Sequence, residues 1–232
     1  MGKVTCGAEL GLLLVEAFSQ DGVVANDQAL LRLLHVLQAF PGPVPKSPQS
    51  AEGPKLCCRY VVEAIKWARQ HSMGDKALQQ DTAGSPEQQL HNHLARYLWE
   101  FYGSDGLGWA SLHFAHGSEP FRFAAAVAAA AEQAPAEELD LFVVRAGLQI
   151  LGTSSAECLL FCREFLQAFE GICEQSHRSI PDSPLYTFLA LLLEVGFPLL
   201  NSSTCQTQRL YYITETLANL LNSLSLACSS AL

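Results

Sequence analysis

Leu30, Leu31, Leu33, Leu34, Val36 and Leu37 fall within about two turns of a helix. Successive helical residues are rotated by roughly 100°, so one face cannot hold all six. A helix over this stretch must be covered on two sides. Stacked helical hairpins impose that demand, because each pair buries its faces on the pair before and the pair after. The same period recurs along the chain: in Leu10, Leu13, Leu14, Ala17 and Phe18; in Cys57, Val61, Ala64, Ile65 and Ala68; and in Leu90, Leu94, Tyr97, Leu98 and Phe101. It returns in Leu139, Phe142, Val143, Ala146 and Ile150, and in Cys158, Phe161, Cys162, Phe165 and Phe169. No segment alternates as a strand would. The expected fold is all-α, a right-handed α-solenoid of tetratricopeptide-like helical hairpins filling residues 1–232 as one domain. Its N-terminal pairs occupy 1–132 and its C-terminal, partner-binding pairs 133–232.

Local punctuation agrees with that division into helices. Ser85, Pro86 and Gln88 spell a capping box with proline at the first helical position, and Ser154 with Glu157 spells another. Gly152 stands where a left-handed C-cap is expected. Ser183 and Pro184 open a further helix. The run from Pro41 to Pro54 and the polar run from Ser72 to Pro86 read as the longer connections. The glycines of Gly103 to Gly108 read as a turn between helices.

Composition then excludes several functions. Apolar residues make up 49% and charged residues 16% of the 232 residues, against about 25% charged in an average domain, so most side chains must be buried. The net charge of −9 and the lack of a basic stripe argue against nucleic-acid binding, which depends on clustered Lys and Arg. The apolar segment from Leu185 to Leu200 is shorter than the ~20 residues that span a bilayer and is interrupted by Glu194 and Pro198, so it reads as a core helix. The alanine run from Ala124 to Ala131 reads as a helix packed closely against neighbours. No direct membrane insertion is expected. The eight cysteines form no CxxC pair, and no secretory signal follows Met1, which together fit reduced thiols in the cytosol. Cys6 stands where N-myristoylation wants Ser or Thr.

Candidate chemistry is sparse. His91 and His93 form an HxH, and His113 and His116 are one helical turn apart, but no HExxH accompanies them. Cys158 and Cys162 are also one turn apart, on a stripe with Phe161 and Phe165, which reads as core. Neither a nucleophile elbow nor a phosphate-binding loop occurs. Trp67, Trp99 and Trp109 lie on apolar helical faces and are expected to fill space between layers. Catalytic residues, metals and cofactors are expected to be none.

Several stretches carry a resemblance in colinear order: AELGLLLVEAF from Ala8, YVVEAIKWA from Tyr60, LHNHLARYLW from Leu90, SLHFAHGSEP from Ser111 and ELDLFVVRAGLQIL from Glu138. PLYTFLALLLEV from Pro184 and RLYYITETLANLL from Arg209 continue the order. Together they resemble the Golgi-to-ER-traffic protein four family, the helical scaffold of the pathway that delivers tail-anchored membrane proteins. The resemblance implies a cytosolic adaptor without an active site. Its N-terminal half docks the targeting ATPase, its C-terminal half grips a ubiquitin-like protein, and in animals a large Bag-type scaffold joins. Relatives carry further helices before the AELGLLLVE stretch that make much of the ATPase contact, so weak ATPase docking is expected. The turn from Phe101 to Gly108 is longer than in relatives, and the stretch from Val195 to Arg209 is shorter.

By the same resemblance the ubiquitin-like partner lies against Phe188, Leu189, Leu192 and Leu193 of one helix and Leu210, Ile213, Leu217, Leu220 and Leu221 of the next. The alternatives are another tetratricopeptide-like adaptor of a multisubunit complex, such as a proteasome-lid type assembly, and an all-α metal-dependent enzyme using the histidines.

Overall fold

The computed structural model describes residues 2–40, 52–72, 84–135, 138–153, 155, 157–179 and 183–200, and every regular element among them is a helix. In order these are α1 (Gly2–Gln20), α2 (Asp27–Gln38), α3 (Glu52–Gln70), α4 (Pro86–Tyr102), the 3-10 turn η1 (Gly103–Gly106), α5 (Leu107–Ala115), α6 (Pro120–Ala131), α7 (Leu139–Leu151), α8 (Cys158–Gln175) and α9 (Pro184–Leu200). The chain divides into two compact units, Met1–Ser118 and Glu119–Leu232. The alanine helix α6 falls in the second unit because its main partner is α8.

In the first unit α3 is the central element, packed on α1, α2 and α4, while α5 folds back on α4. Tyr60, Val61, Ala64, Trp67 and Ala68 of α3 are fully buried. Trp67 lies against Phe18 of α1 with ring centroids 5.4 Å apart, and the Tyr60 hydroxyl donates to the Leu33 carbonyl at 2.9 Å. A Cβ at Gly11 would come within 2.9 Å of Val36 and 3.0 Å of the Tyr60 ring, so glycine lets α1, α2 and α3 meet there. The two-sided cover expected of α2 is corrected: its buried side chains, Ala29, Leu30, Leu33, Leu34 and Leu37, share one broad face. Leu31 faces outward. Asn26 starts this helix by accepting the Ala29 N–H at 2.9 Å.

The second unit is built on α8, which packs against α6, α7 and α9. Phe123 and Phe165 stack tilted with centroids 5.0 Å apart. The small side chains Ala124, Ala126, Ala128, Ala130 and Ala131 are all buried beside them, consistent with a close helix approach. Gly147 of α7 is a second close contact: a Cβ there would reach 2.5 Å from Leu189 of α9, and the Cys162 thiol of α8 donates to its carbonyl at 3.7 Å.

The caps match the sequence in part. Ser85 and Gln88 form the reciprocal capping box, with bonds of 3.2 and 2.8 Å, and the Ser183 hydroxyl accepts the Tyr186 N–H at 3.2 Å. Two cap expectations are corrected. Glu157 itself precedes α8 and makes no side-chain cap, so it is not the N3 residue of a box; its N–H bonds instead to Ser155 Oγ at 3.1 Å, while Ser154 lies outside the described residues. Gly152 has φ −71°, a right-handed conformation, because the chain leaves α7 through a tightened turn in which Thr153 N–H bonds to Ile150 O at 3.1 Å. Trp109 is a third correction. It is 60% exposed and meets the edge of Tyr102, with ring centroids 5.4 Å apart, because α5 turns that side outward, whereas Trp67 is core and Trp99 half-buried.

The cysteines one turn apart on α8 are unequal. Cys162 and Phe165 are fully buried, while Cys158 and Phe161 are half-buried at the entrance to the helix. Burial, with Cys158 as a neighbour, pushes the Cys162 thiol up to about 12, so it stays protonated and acts as packing. Cys162→Ala is expected to cost about 1–2 kcal/mol through lost burial and the cavity left behind, and Cys158→Ala within about 0.5 kcal/mol. Urea unfolding of the two variants checks the order; equal losses would contradict it.

Candidate partner-binding site

α9 is fixed to the second unit from one side. Tyr186 donates its hydroxyl to Glu170 of α8 at 2.6 Å, and both burial and the Glu170 carboxylate raise the tyrosine pKa, so the phenol remains a donor. Leu189 and Leu193 follow Tyr186 on the inner side and are buried with it. The opposite side presents Leu185, Phe188 and Leu191, spaced three apart, with Phe188 44% and Leu191 52% exposed; Leu192 sits half-buried at the margin.

The sequence grouped Phe188, Leu189, Leu192 and Leu193 on one partner-facing stripe. The structure divides them: Leu189 fills the space above Gly147 and Leu193 joins the core, so only Phe188 and part of Leu192 are available at the surface. Leu185 and Leu191 were missed, although their spacing from Phe188 is the signal that places all three on one side. Leu210, Ile213, Leu217, Leu220 and Leu221 lie outside the described residues.

The first unit holds a polar cluster where α4 meets α5. Asn92 is buried, accepts the Ser118 N–H at 2.9 Å and donates through Nδ2 to Ser118 Oγ at 2.9 Å. A Cβ on Gly117 would collide with the Asn92 carboxamide oxygen, which explains glycine in the HGSEP turn. One helical position earlier, His91 Nδ1 lies 3.0 Å from His113 Nδ1, so one ring donates and the other accepts. The His91 ring also stacks on His116 at 5.1 Å. Arg69 of α3 borders the cluster and is bonded to Glu87 of α4 at 2.7 Å. The two most distinctive stretches of the sequence, LHNHLARYLW and SLHFAHGSEP, are thus packed on each other.

Burial and the neighbouring His113, His116 and Arg69 push His91 down to about 3. Burial and His116 push His113 down to about 4. Both rings are therefore neutral near neutral pH. Among the described residues no group of three or more His, Cys, Asp or Glu side chains is placed to hold a metal ion. The cluster works as a helix-to-helix fastening.

The family model described as Golgi to ER traffic protein 4 matches residues 1–196. The chain belongs to that family. Among solved structures it is similar to the crystal structure of C. therm. Get4, with a TM-score of 0.60 and 21% identity, over 93% of this chain and 64% of that one. The chain therefore spans just under two thirds of that Get4 chain's length. At this identity the likeness shows the fold, an all-α solenoid of Get4 type. No curated protein sequence matches the chain. As in the sequence reading, no helix among the described residues of this Get4-family chain is long and apolar enough to cross a membrane.

The histidine cluster gives this family member a defined acid response. An ordinary histidine titrates near 6.5 and His91 near 3 when folded. Above pH 6.5 both states are neutral and the stability is full; as pH falls below 6.5 the unfolded chain takes up protons that the fold refuses, so stability declines until about pH 3. Melting temperatures measured from pH 7.5 to 4.5 are expected to fall less steeply for His91→Phe than for the unaltered chain. Parallel curves would show that His91 does not carry the effect.

Proposed function

We propose that this chain is a non-enzymatic cytosolic scaffold in the post-translational targeting of tail-anchored membrane proteins to the endoplasmic reticulum, bridging a ubiquitin-like partner and the targeting ATPase. The observation that carries the reading is the family match over residues 1–196. The fold is compatible with it. Rigid helical pairs such as α7, α8 and α9 present side chains on outer faces while their inner faces hold the core.

Within this reading the partner-facing part of α9 is its outer side. Leu185, Phe188 and Leu191, with Leu192 at the margin, form an apolar surface that an amphipathic segment of the ubiquitin-like protein covers, with helical anchors between them. Phe188 is the expected anchor, since aromatic side chains dominate binding energy at such centres. Leu189 and Leu193 support the surface from beneath.

Phe188→Asp with Leu191→Asp is expected to weaken capture of the ubiquitin-like partner roughly thirtyfold, about 2 kcal/mol, without moving the helical melt. Leu189→Asp should lower the melt and lose capture in step with unfolding. Binding and far-UV melting measured on the same samples separate the two. Full capture by the outer-face variant would move the partner site off α9.

A further inference from the structure

Apolar side chains point in almost every direction around α9. Between Pro184 and Glu194 only Thr187 and Glu194 mark a polar side. A rotation of roughly 100° about the axis, one residue's worth, exchanges the buried set Tyr186, Leu189 and Leu193 for the set Leu185, Phe188 and Leu192. The second set is hydrocarbon throughout. Burial of apolar area has no direction of its own, so area alone would favour that second roll. The fold nevertheless buries the set that contains a hydroxyl, so a contact with direction must decide.

Two contacts discriminate between the rolls. Leu189 fits the space over Gly147 of α7, where the bulkier Phe188 would stand in the other roll. That preference is one of shape, which a core relieves in part by repacking. The second contact admits no substitute. Tyr186 is only 8% exposed, and its hydroxyl donates to Glu170 Oε1 at 2.6 Å, the length of a hydrogen bond to a charged acceptor. Glu170 belongs to α8 and does not turn with α9, so a one-residue roll carries the hydroxyl away from its acceptor. None of Leu185, Phe188 and Leu192 could replace it there.

We propose that Tyr186, through Glu170, is a positioning residue whose hydrogen bond selects one roll of α9 and so decides that Leu185, Phe188 and Leu191, rather than Leu189 and Leu193, face outward. Its consequence for partner capture rests on the reading of the outer side of α9 as the partner surface. The selection of the roll does not. Tyr186 touches no partner itself; it acts by setting which side chains are offered.

The test is hydroxyl-radical footprinting of the full chain, read as the ratio of modification at Phe188 to that at Leu193, beside capture of the ubiquitin-like partner and far-UV melting. Tyr186→Phe makes both sets hydrocarbon and is expected to lower the ratio roughly threefold and capture roughly fivefold, the scale of one hydrogen bond to a charged group. Glu170→Ala should do the same, while Glu170→Gln, which keeps an acceptor oxygen, should restore both readings. Tyr186→Phe combined with Glu170→Ala should add nothing to either alone. A hydroxyl that merely adds stability would lower the melt, leave the ratio unchanged and show no rescue; that result would overturn the proposal, as would additive losses in the combined variant. Glu170 is half-buried, so its two variants carry the test should Tyr186→Phe melt early. A shifted ratio with full capture would support the selection of the roll and overturn instead the assignment of the partner to α9.

Discussion

The burial of one stripe on α3 organises the first unit. Cys57, Tyr60, Val61, Ala64, Trp67 and Ala68 recur at helical spacing and are all inaccessible to solvent. A helix can hide a stripe this broad only by touching several neighbours, which is why α1, α2 and α4 all lie against it. Two large side chains set the spacing. Trp67 takes up the distance to Phe18, and Tyr60 takes up the distance to α2 while its hydroxyl finds a backbone acceptor, so its polar atom is not stranded in the core. α8 has the corresponding role in the second unit, with Phe165, Phe169 and Cys162 as its buried stripe.

Small residues decide where these helices touch. Gly11 admits Tyr60 and Val36, Gly147 admits Leu189, and the alanines of α6 bring its backbone near α8. A missing side chain is a weak signal in a sequence, because glycine also marks turns. Gly103, with φ 58°, is such a turn glycine, and only the neighbours of Gly11 and Gly147 reveal that those two are contact points instead.

The polar cluster between α4 and α5 shows how a conspicuous motif can be structural. His91, His113 and His116 are the residue type that metal and acid-base chemistry uses, and their spacing invited that reading. In the fold Nδ1 of His91 meets Nδ1 of His113 and His116 stacks on His91, while desolvation keeps His91 and His113 uncharged; the buried Nε2 of His91 has no hydrogen-bond partner among the described residues. Asn92 closes the same joint by bonding both the backbone and the side chain of Ser118. These bonds hold α4, α5 and the turn after α5 together.

The sequence by itself determined the helical class, most helix positions, the Ser85 capping box, the opening of α9 at Ser183 and the family to which the chain belongs. These depend on neighbours within a turn or two, on apolar period and on colinear order, all of which are written locally. It did not determine which apolar residues face inward when a helix has more than one apolar side. Leu10 and Leu13 looked like the buried face of α1, but Ala8, Gly11, Val15 and Phe18 hold that place; Leu31 and Trp109 turned out exposed; and Phe188 parted from Leu189 and Leu193. On a helix with two apolar stripes the periodicity is equally satisfied by either rotation about the axis. The rotation is set by which stripe fits the neighbour, a small Gly11 against Tyr60 or a Leu189 over Gly147, and that fit exists only once distant parts of the chain have come together.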